Sequence, residues 1–387
     1  MFLAVGAVIL FGAPAAAGKS ALRPSLRADL NRYLSARRVP EHISAVGLTV
    51  TFRGSRPGVN IAVGSTRYLG GRPISPSALW QIGSNTKAFT SVMLLQLEAE
   101  HKLSINDRLG KWLPQYRAWR RITIKQLLNM TAGIQDYSIQ PAFEAAYAAA
   151  PNRVFTASQL VSYAVGLPLK PGWEYSNTNY ILGQMIIERA THDSYGEQLR
   201  RRIARPLGLR NLFFSATRYP NRVLARLPAG YCFISPDAVP QLSSQFGQDQ
   251  SRHTASTNSV QGSGGIVSSL PDVAKWDRAL YSGRELPRKQ QRQLESLVSE
   301  ATGKPISRAT ASDPVGFGLG VGQTTSPAGN AWFYEGQTLG FRVLHVYYPR
   351  TGTDVVVGVN SATLGDNDHL SQLAASVYQT LHRAGLA

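Results

Sequence analysis

"LWQIGSNTKAF", residues 79–89, places Ser84 three positions before Lys87, where an apolar helical pattern begins. Two readings compete for it. Ser84 or Asn85 can cap a helix, because a short polar side chain accepts from the orphan N–H groups of the first turn; Lys87 is then a surface lysine. Alternatively, three residues is about one helical turn, so the two side chains share a face. A lysine there can be the base that a weakly nucleophilic serine needs. A bare Ser-x-x-Lys is expected by chance in a chain of this composition, so the pattern alone decides little. The residues that follow, Phe89, Val92, Met93 and Leu97, form an apolar stripe, and a helix buried on most sides is a rigid mount for a reactive group.

The chain around this stretch has 387 residues, 43% hydrophobic and 17% charged. A single core tends to divide above about 250–300 residues, which predicts two subdomains. Lys and Arg exceed Asp and Glu by 41 − 23 = 18. The arginines are scattered, with no run longer than Arg200–Arg202, which argues against a nucleic-acid partner. Such a charge also suits a peripheral cell-wall or membrane association. Residues 2–17, "FLAVGAVILFGAPAAA", read as the apolar core and small-residue cleavage site of an export signal. They are short for a membrane span, which needs about 20 residues. No Lys or Arg precedes the run, the first being Lys19, so an uncleaved anchor is the alternative to a periplasmic or secreted protein. The lone Cys232 cannot form an internal disulfide and reads as a small buried apolar residue.

The patterns predict an α/β fold. Pro24 opens a helix carrying Leu26, Leu30 and Leu34. "AVGLTVTFRG" and "VNIAVGS" read as two strands around a turn. Residues 100–260 are helical and loop-like, and 233–262 read as a long polar surface loop. "SLPDVAKWDRALYSG" and "PRKQQRQLESLVSE" read as helices. "GFGLGVG", "AWFYEGQ", "GFRVLHVYY" and "DVVVGVNSA" follow with turns too short for parallel crossovers, hence an antiparallel meander. A last helix carries Leu370, Leu373, Val377 and Leu381 on one face. This predicts a sheet of about five antiparallel strands flanked by helices, built by 18–95 and 262–387, with a mostly helical subdomain, 96–261, inserted between.

The seven histidines are far apart, no His-x-x-x-His or cysteine pair occurs, and no phosphate-cradling loop or Gly-x-Ser-x-Gly is present. Neither metal nor cofactor is therefore expected. Tyr-x-Asn occurs twice. Tyr219-Pro220-Asn221 sits in a Pro- and Arg-rich turn with no helix expected after it. Tyr175-Ser176-Asn177 follows the turn signal Pro171-Gly172 and precedes a strongly apolar helix.

These motifs in this order resemble the serine β-lactamase-related superfamily, in the branch of class C β-lactamases, D-Ala-D-Ala carboxypeptidases, D-aminopeptidases and family VIII esterases. The likeness runs from about residue 40 to 382. It includes Ser84-Asn85-Thr86-Lys87, Tyr175-Ser176-Asn177, "ITIKQLLNMTAGIQDY" with Asn129 in place of a frequent histidine, and "GSGGIVSSLPDVAKW". It implies a β-lactamase/transpeptidase-like fold and an acyl-enzyme on Ser84. Lys87 and Tyr175 would handle its proton, and Asn177 would hold the substrate carbonyl and the Lys87 head. Burial should lower the Lys87 pKa and a nearby cation that of Tyr175. The Ser84 N–H and an N–H near Gln337 would form an oxyanion hole. The chain departs from its relatives at the third motif. Where they carry Lys, His or Trp, then any residue, then Gly, it has Tyr334-Glu335-Gly336. The charge that grips a substrate carboxylate is then missing unless Arg342 supplies it. The expected function is an exported serine hydrolase acting on esters, or on amides without an adjacent carboxylate. The alternatives are a D,D-carboxypeptidase or β-lactamase, and a non-catalytic wall-binding module.

Overall fold

Alternating and continuous apolar runs at the two chain ends meet in one sheet. In the computed structural model, residues 22–387 are described apart from 55, 252, 254–256, 327 and 366–367; the apolar run at 2–17 lies outside them. Ala45–Thr51 pairs on one side with Val59–Arg67 and on the other with Thr353–Val359, Val46 facing both Val63 and Val359. From Thr353–Val359 the sheet continues through Arg342–Tyr348, Ala331–Gln337, Gly322–Thr324, Val315–Phe317, Leu297–Ser299 and Pro305–Ile306. Gly70–Pro73 forms the other edge. The expected antiparallel meander is present, but the sheet has ten strands rather than about five. The added strands run two to four residues, too short for a period-2 pattern to stand out. One of them, Leu297–Ser299, lies where a single helix over 287–300 was predicted. The helix stops at Leu294, and Leu297 and Val298 pair into the sheet instead.

Both faces of the sheet are covered. Leu22–Arg37 and Leu370–Arg383 lay Leu26, Leu30, Leu373, Val377 and Leu381 on one face, against Leu48, Val355 and Leu344. Leu270–Tyr281, capped by the Ser269 side chain accepting from the Asp272 N–H, packs on the other. Gly47 and Gly358 are opposite each other through neighbouring strands on that face. A Cβ on Gly47 would meet Leu270 at 2.7 Å and Trp80 at 3.0 Å, so the missing side chains are what let those two large residues lie on the sheet. The larger core continues past them into the helices Thr86–Ala99 and Asn177–Thr191. None of the described helices is long and apolar enough to cross a membrane.

Two local expectations change. The stretch 233–262 is a surface loop only over its first part, 233–249: Thr257, Asn258, Ser259 and Gln261 are buried, with Gln261 against Gln184 of the helix Asn177–Thr191. After Tyr219-Pro220, a short helix, Asn221–Leu224, forms where none was expected. Tyr219 is nonetheless structural, since its buried hydroxyl bonds the Gly265 carbonyl. Cys232 is buried as expected.

Candidate active site

Ser84 lies in a single 3-10 turn, Gly83–Asn85, that runs into the helix Thr86–Ala99. Neither Ser84 nor Asn85 caps it, for no side-chain cap bond forms. Asn85 ties the turn to the sheet instead. Its amide N–H groups donate to the carbonyls of Ile82 and Val343, at 2.8 and 2.9 Å. That orientation turns Asn85 Oδ1 to His345 Nδ1, 2.8 Å away, so Nδ1 carries the proton and Nε2 accepts from the Tyr281 hydroxyl at 2.8 Å. Burial holds the His345 pKa down to about 3, which keeps the imidazole neutral. Gly336 completes the contact: a Cβ there would lie 1.9 Å from the Ile82 oxygen and 2.7 Å from the Ser84 nitrogen. Only glycine lets the strand approach the serine this closely.

The helix geometry does to Lys87 what the spacing implied. Lys87 is fully buried, and its Nζ lies 3.0 Å from Ser84 Oγ. Two further contacts, 2.7 Å to Asn177 Oδ1 and 2.8 Å to the Ser263 carbonyl, are to oxygens that can only accept. When the amine is neutral, these two acceptors hold its two N–H bonds and leave its lone pair for the serine hydroxyl. The Tyr175 hydroxyl lies 2.6 Å from Ser84 Oγ, and Lys87 Nζ sits 4.8 Å over the Tyr175 ring. Burial lowers Lys87 to about pKa 7, opposed by the charge of Asp136. Tyr175 goes the other way from the expectation. Burial, the largest effect, raises it despite the Ser84 hydrogen bond, and Asp136 raises it further. The phenol is therefore neutral at ordinary pH.

Backbone donors converge on the same point. Thr338 N donates to the Phe341 carbonyl across the hairpin, so in an antiparallel ladder the next pair, Gln337 and Arg342, is a non-hydrogen-bonded one. The Gln337 N–H thus points away from that strand, on the side where Gly83 abuts it. With the Ser84 N–H it forms a two-donor cradle.

The same ladder separates Tyr334 from Arg342. Side chains alternate between faces, and Tyr334, opposite His345, lies on the serine's face. Its buried hydroxyl has no hydrogen bond of normal geometry, although Tyr175 is close enough for the two phenols to perturb each other. Arg342 lies on the opposite face with Leu344 and is fully buried. Its guanidinium is held by Glu41 at 2.6 Å and Asp368 at 2.7 Å, with Nε on the Ser361 carbonyl at 3.0 Å. It has no charge to offer a substrate at Ser84. Glu335 sits on that face as well, where burial and Asp368 raise its pKa.

Three residues were missed by the sequence reading. Asp136 is buried, and its Oδ2 accepts from Asn177 Nδ2 at 3.0 Å. Ser138 Oγ takes the other Asn177 N–H, also at 3.0 Å. Glu300 lines a small cavity with Tyr175, Phe317 and Tyr334, and burial raises its pKa to about 7. Asp136 stands inside "TAGIQDY", a segment that the sequence reading had singled out, and that was the available signal; nothing local marks Glu300.

A serine between a buried amine and a phenol, under two backbone donors and on this sheet, defines a serine hydrolase. Residues 37–379 match the beta-lactamase family model, and the chain belongs to that family. Penicillin-binding protein 4* of Bacillus subtilis is 25% identical over 289 residues, which span 72% of this chain and 59% of that protein. A D-stereospecific amidohydrolase from Streptomyces superposes with a TM-score of 0.74 at 25% identity, covering 93% of this chain and 98% of the other. The D-amino acid amidase from Ochrobactrum anthropi SV3 gives 0.78 at 21% identity, over 95% and 99%; at that identity the likeness is one of fold.

Proposed function

We propose that this chain hydrolyses esters, or amides lacking a free carboxylate beside the scissile bond, through an acyl-enzyme on Ser84. The observation that carries the reading is the placement of Ser84 Oγ 3.0 Å from Lys87 Nζ and 2.6 Å from the Tyr175 hydroxyl. Neutral Lys87 takes the serine proton as Oγ attacks the carbonyl carbon. The Ser84 and Gln337 N–H groups stabilise the developing oxyanion. The neutral Tyr175 O–H donates toward the leaving group and recovers a proton from the Lys87 side. The leaving group departs protonated, and water then attacks the acyl carbon by the same steps in reverse, freeing Ser84.

The substrate preference rests on charge. Tyr334 stands where relatives carry a cation or an indole, Arg342 is sequestered, and the acidic Glu300 borders the same cavity. A substrate carboxylate would find no charge-assisted hydrogen bond there. The names of the amidohydrolase and amidase that share the fold fit an amide substrate. The second reading, a D,D-carboxypeptidase or β-lactamase, draws on the penicillin-binding relative. Export of the chain is proposed on the 2–17 apolar run alone; N-terminal sequencing of the mature protein would test it.

One experiment tests the central reading. The chain is exposed to a fluorophosphonate, and its intact mass should rise by one adduct that is lost in Ser84→Ala. Full labelling of that variant would remove Ser84 from the role. An unlabelled wild type would favour the non-catalytic wall-binding module. Rates on p-nitrophenyl esters, amino-acid amides, D-Ala-D-Ala peptides and a chromogenic cephalosporin then rank the substrates.

A further inference from the structure

Asn177 is committed on both sides of its amide. Its Oδ1 takes Lys87 Nζ at 2.7 Å, while its two N–H bonds go to Asp136 Oδ2 and Ser138 Oγ, each at 3.0 Å. No hydrogen remains for a substrate carbonyl, contrary to what the family likeness implied. The orientation is not arbitrary. Every partner given for the Asp136 carboxylate is a donor: the Ser138 N–H and O–H on Oδ1, both at 2.9 Å, and the Asn177 N–H on Oδ2. Burial raises the Asp136 pKa, and the Ser138 and Asn177 donors together with the Lys87 charge oppose that rise; such a set of donors favours the ionised carboxylate and forbids the flipped amide.

Asp136 also has a local task. Its Oδ1 caps the turn Tyr137–Ile139 by accepting from the Ser138 N–H. Capping uses one oxygen. The second is aimed at Asn177, and the loop is pinned there independently by the Tyr137 N–H on Thr178 Oγ1 at 2.9 Å and by Thr178 Oγ1 on the Gln135 carbonyl at 2.7 Å.

We propose that Asp136 is a positioning residue for the Lys87 amine: its second oxygen fixes the Asn177 amide so that Oδ1 faces the lysine, and its negative charge tunes how tightly Lys87 holds a proton. This deepens the Ser84 reading and relies on it only for the catalytic meaning. The other titratable groups around the amine are phenols and one acid. Tyr175 and Tyr180 present their rings at 4.8 and 5.4 Å. Tyr137 bonds the Ser259 carbonyl, while Tyr334 and Glu300 act on Tyr175 from the sheet side. The phenols are neutral at ordinary pH, burial raising each. Asp136 is the anion that bears on Lys87 directly, opposing the loss of its proton on burial.

The sign follows. Removing the Asp136 charge while keeping a capping side chain makes Lys87 a weaker base, so it loses its proton at lower pH. The test is an NMR titration of the full chain labelled with 13C at lysine Cε, the Lys87 signal being assigned by Lys87→Ala. In Asp136→Asn and Asp136→Ser, both good N-caps, the Lys87 midpoint should fall by on the order of one pH unit. An unchanged or higher midpoint in a folded variant overturns the proposal and leaves Asp136 as a cap; if one substitution does not fold, the other decides. This readout is independent of turnover, so it stands or falls separately from Ser84 catalysis. Where turnover is present, the acid limb of kcat/KM should move with the NMR midpoint.

Discussion

Lys87 and Arg342 are both fully buried cations, on opposite faces of one antiparallel sheet, and they are put to opposite use. Lys87 touches neutral oxygens only, those of Ser84, Asn177 and Ser263, and its nearest anion, Asp136, stands behind Asn177. Desolvation therefore wins, and the amine titrates near pH 7. Arg342 touches two carboxylates. Burial alone would lower its pKa, but Asp368, Tyr33 and Glu41 carry it upward, so its charge is permanent. The difference teaches that burial makes a base only where the first contacts are neutral. With carboxylates in contact, the same burial makes a structural ion pair.

That contrast can be broken at either end. Lys87→Arg puts a permanently charged guanidinium where a lone pair is needed. Steady-state rates should fall on the order of 10²–10⁴-fold, with the fold retained by circular dichroism. In the wild type, kcat/KM should rise with pH through about 7, because the proposed mechanism uses the deprotonated lysine, whose pKa burial has lowered.

At the other end, Arg342→Ala takes the guanidinium from buried Glu41 and half-buried Asp368, leaving Glu41 with Arg37 at 3.6 Å and His369 at 3.0 Å. Removing one partner of such a pair costs about 3–5 kcal/mol, read by urea denaturation, while the surviving folded fraction should keep its kcat. A selective loss on carboxylate-bearing substrates would instead show that Arg342 reaches the site.

Tyr175→Phe sharpens the lysine side. Turnover should drop on the order of 10²-fold, and combined with Lys87→Ala the loss should be far less than the product of the single losses, because groups that move one proton act as a unit. Independent, multiplicative losses in that cycle would separate their roles.

The smallest effect concerns a cation that the serine's face lacks. Tyr334→Lys should improve kcat/KM for carboxylate-bearing substrates relative to neutral esters. A charge-assisted hydrogen bond is worth about 1.5–3 kcal/mol, roughly one to two powers of ten. Glu300 beside the new ammonium will take part of that gain, so Glu300→Gln in the same background should increase it.

Much of the site was legible because it is local or sequential. Helix geometry places residue i+3 one turn on, so Ser84 and Lys87 had to meet wherever the helix lay. Tyr175 and Asn177 were marked by a turn before them and an apolar helix after. Gly336 is readable once a strand must pass close to the serine. Asp136 lies 41 residues from the amide it orients, and no period or spacing connects them. The extra strands escaped for a different reason, since two to four residues show no clear alternation and only their neighbours across the sheet make them strands.

The sequence by itself determined a serine just before the helix that carries the lysine, the antiparallel meander and the aromatic in place of a third-motif cation, because each depends on periodicity or on residue type at one position. The tertiary structure decided which charges are free. Arg342 faces away from Ser84 because the hairpin register pairs it with Gln337, and a shift of one residue would have turned it to the other side. Lys87 meets neutral oxygens and no carboxylate because Asn177 stands between it and Asp136. Charge state in a protein interior is set by contacts across long stretches of chain, which local pattern does not carry.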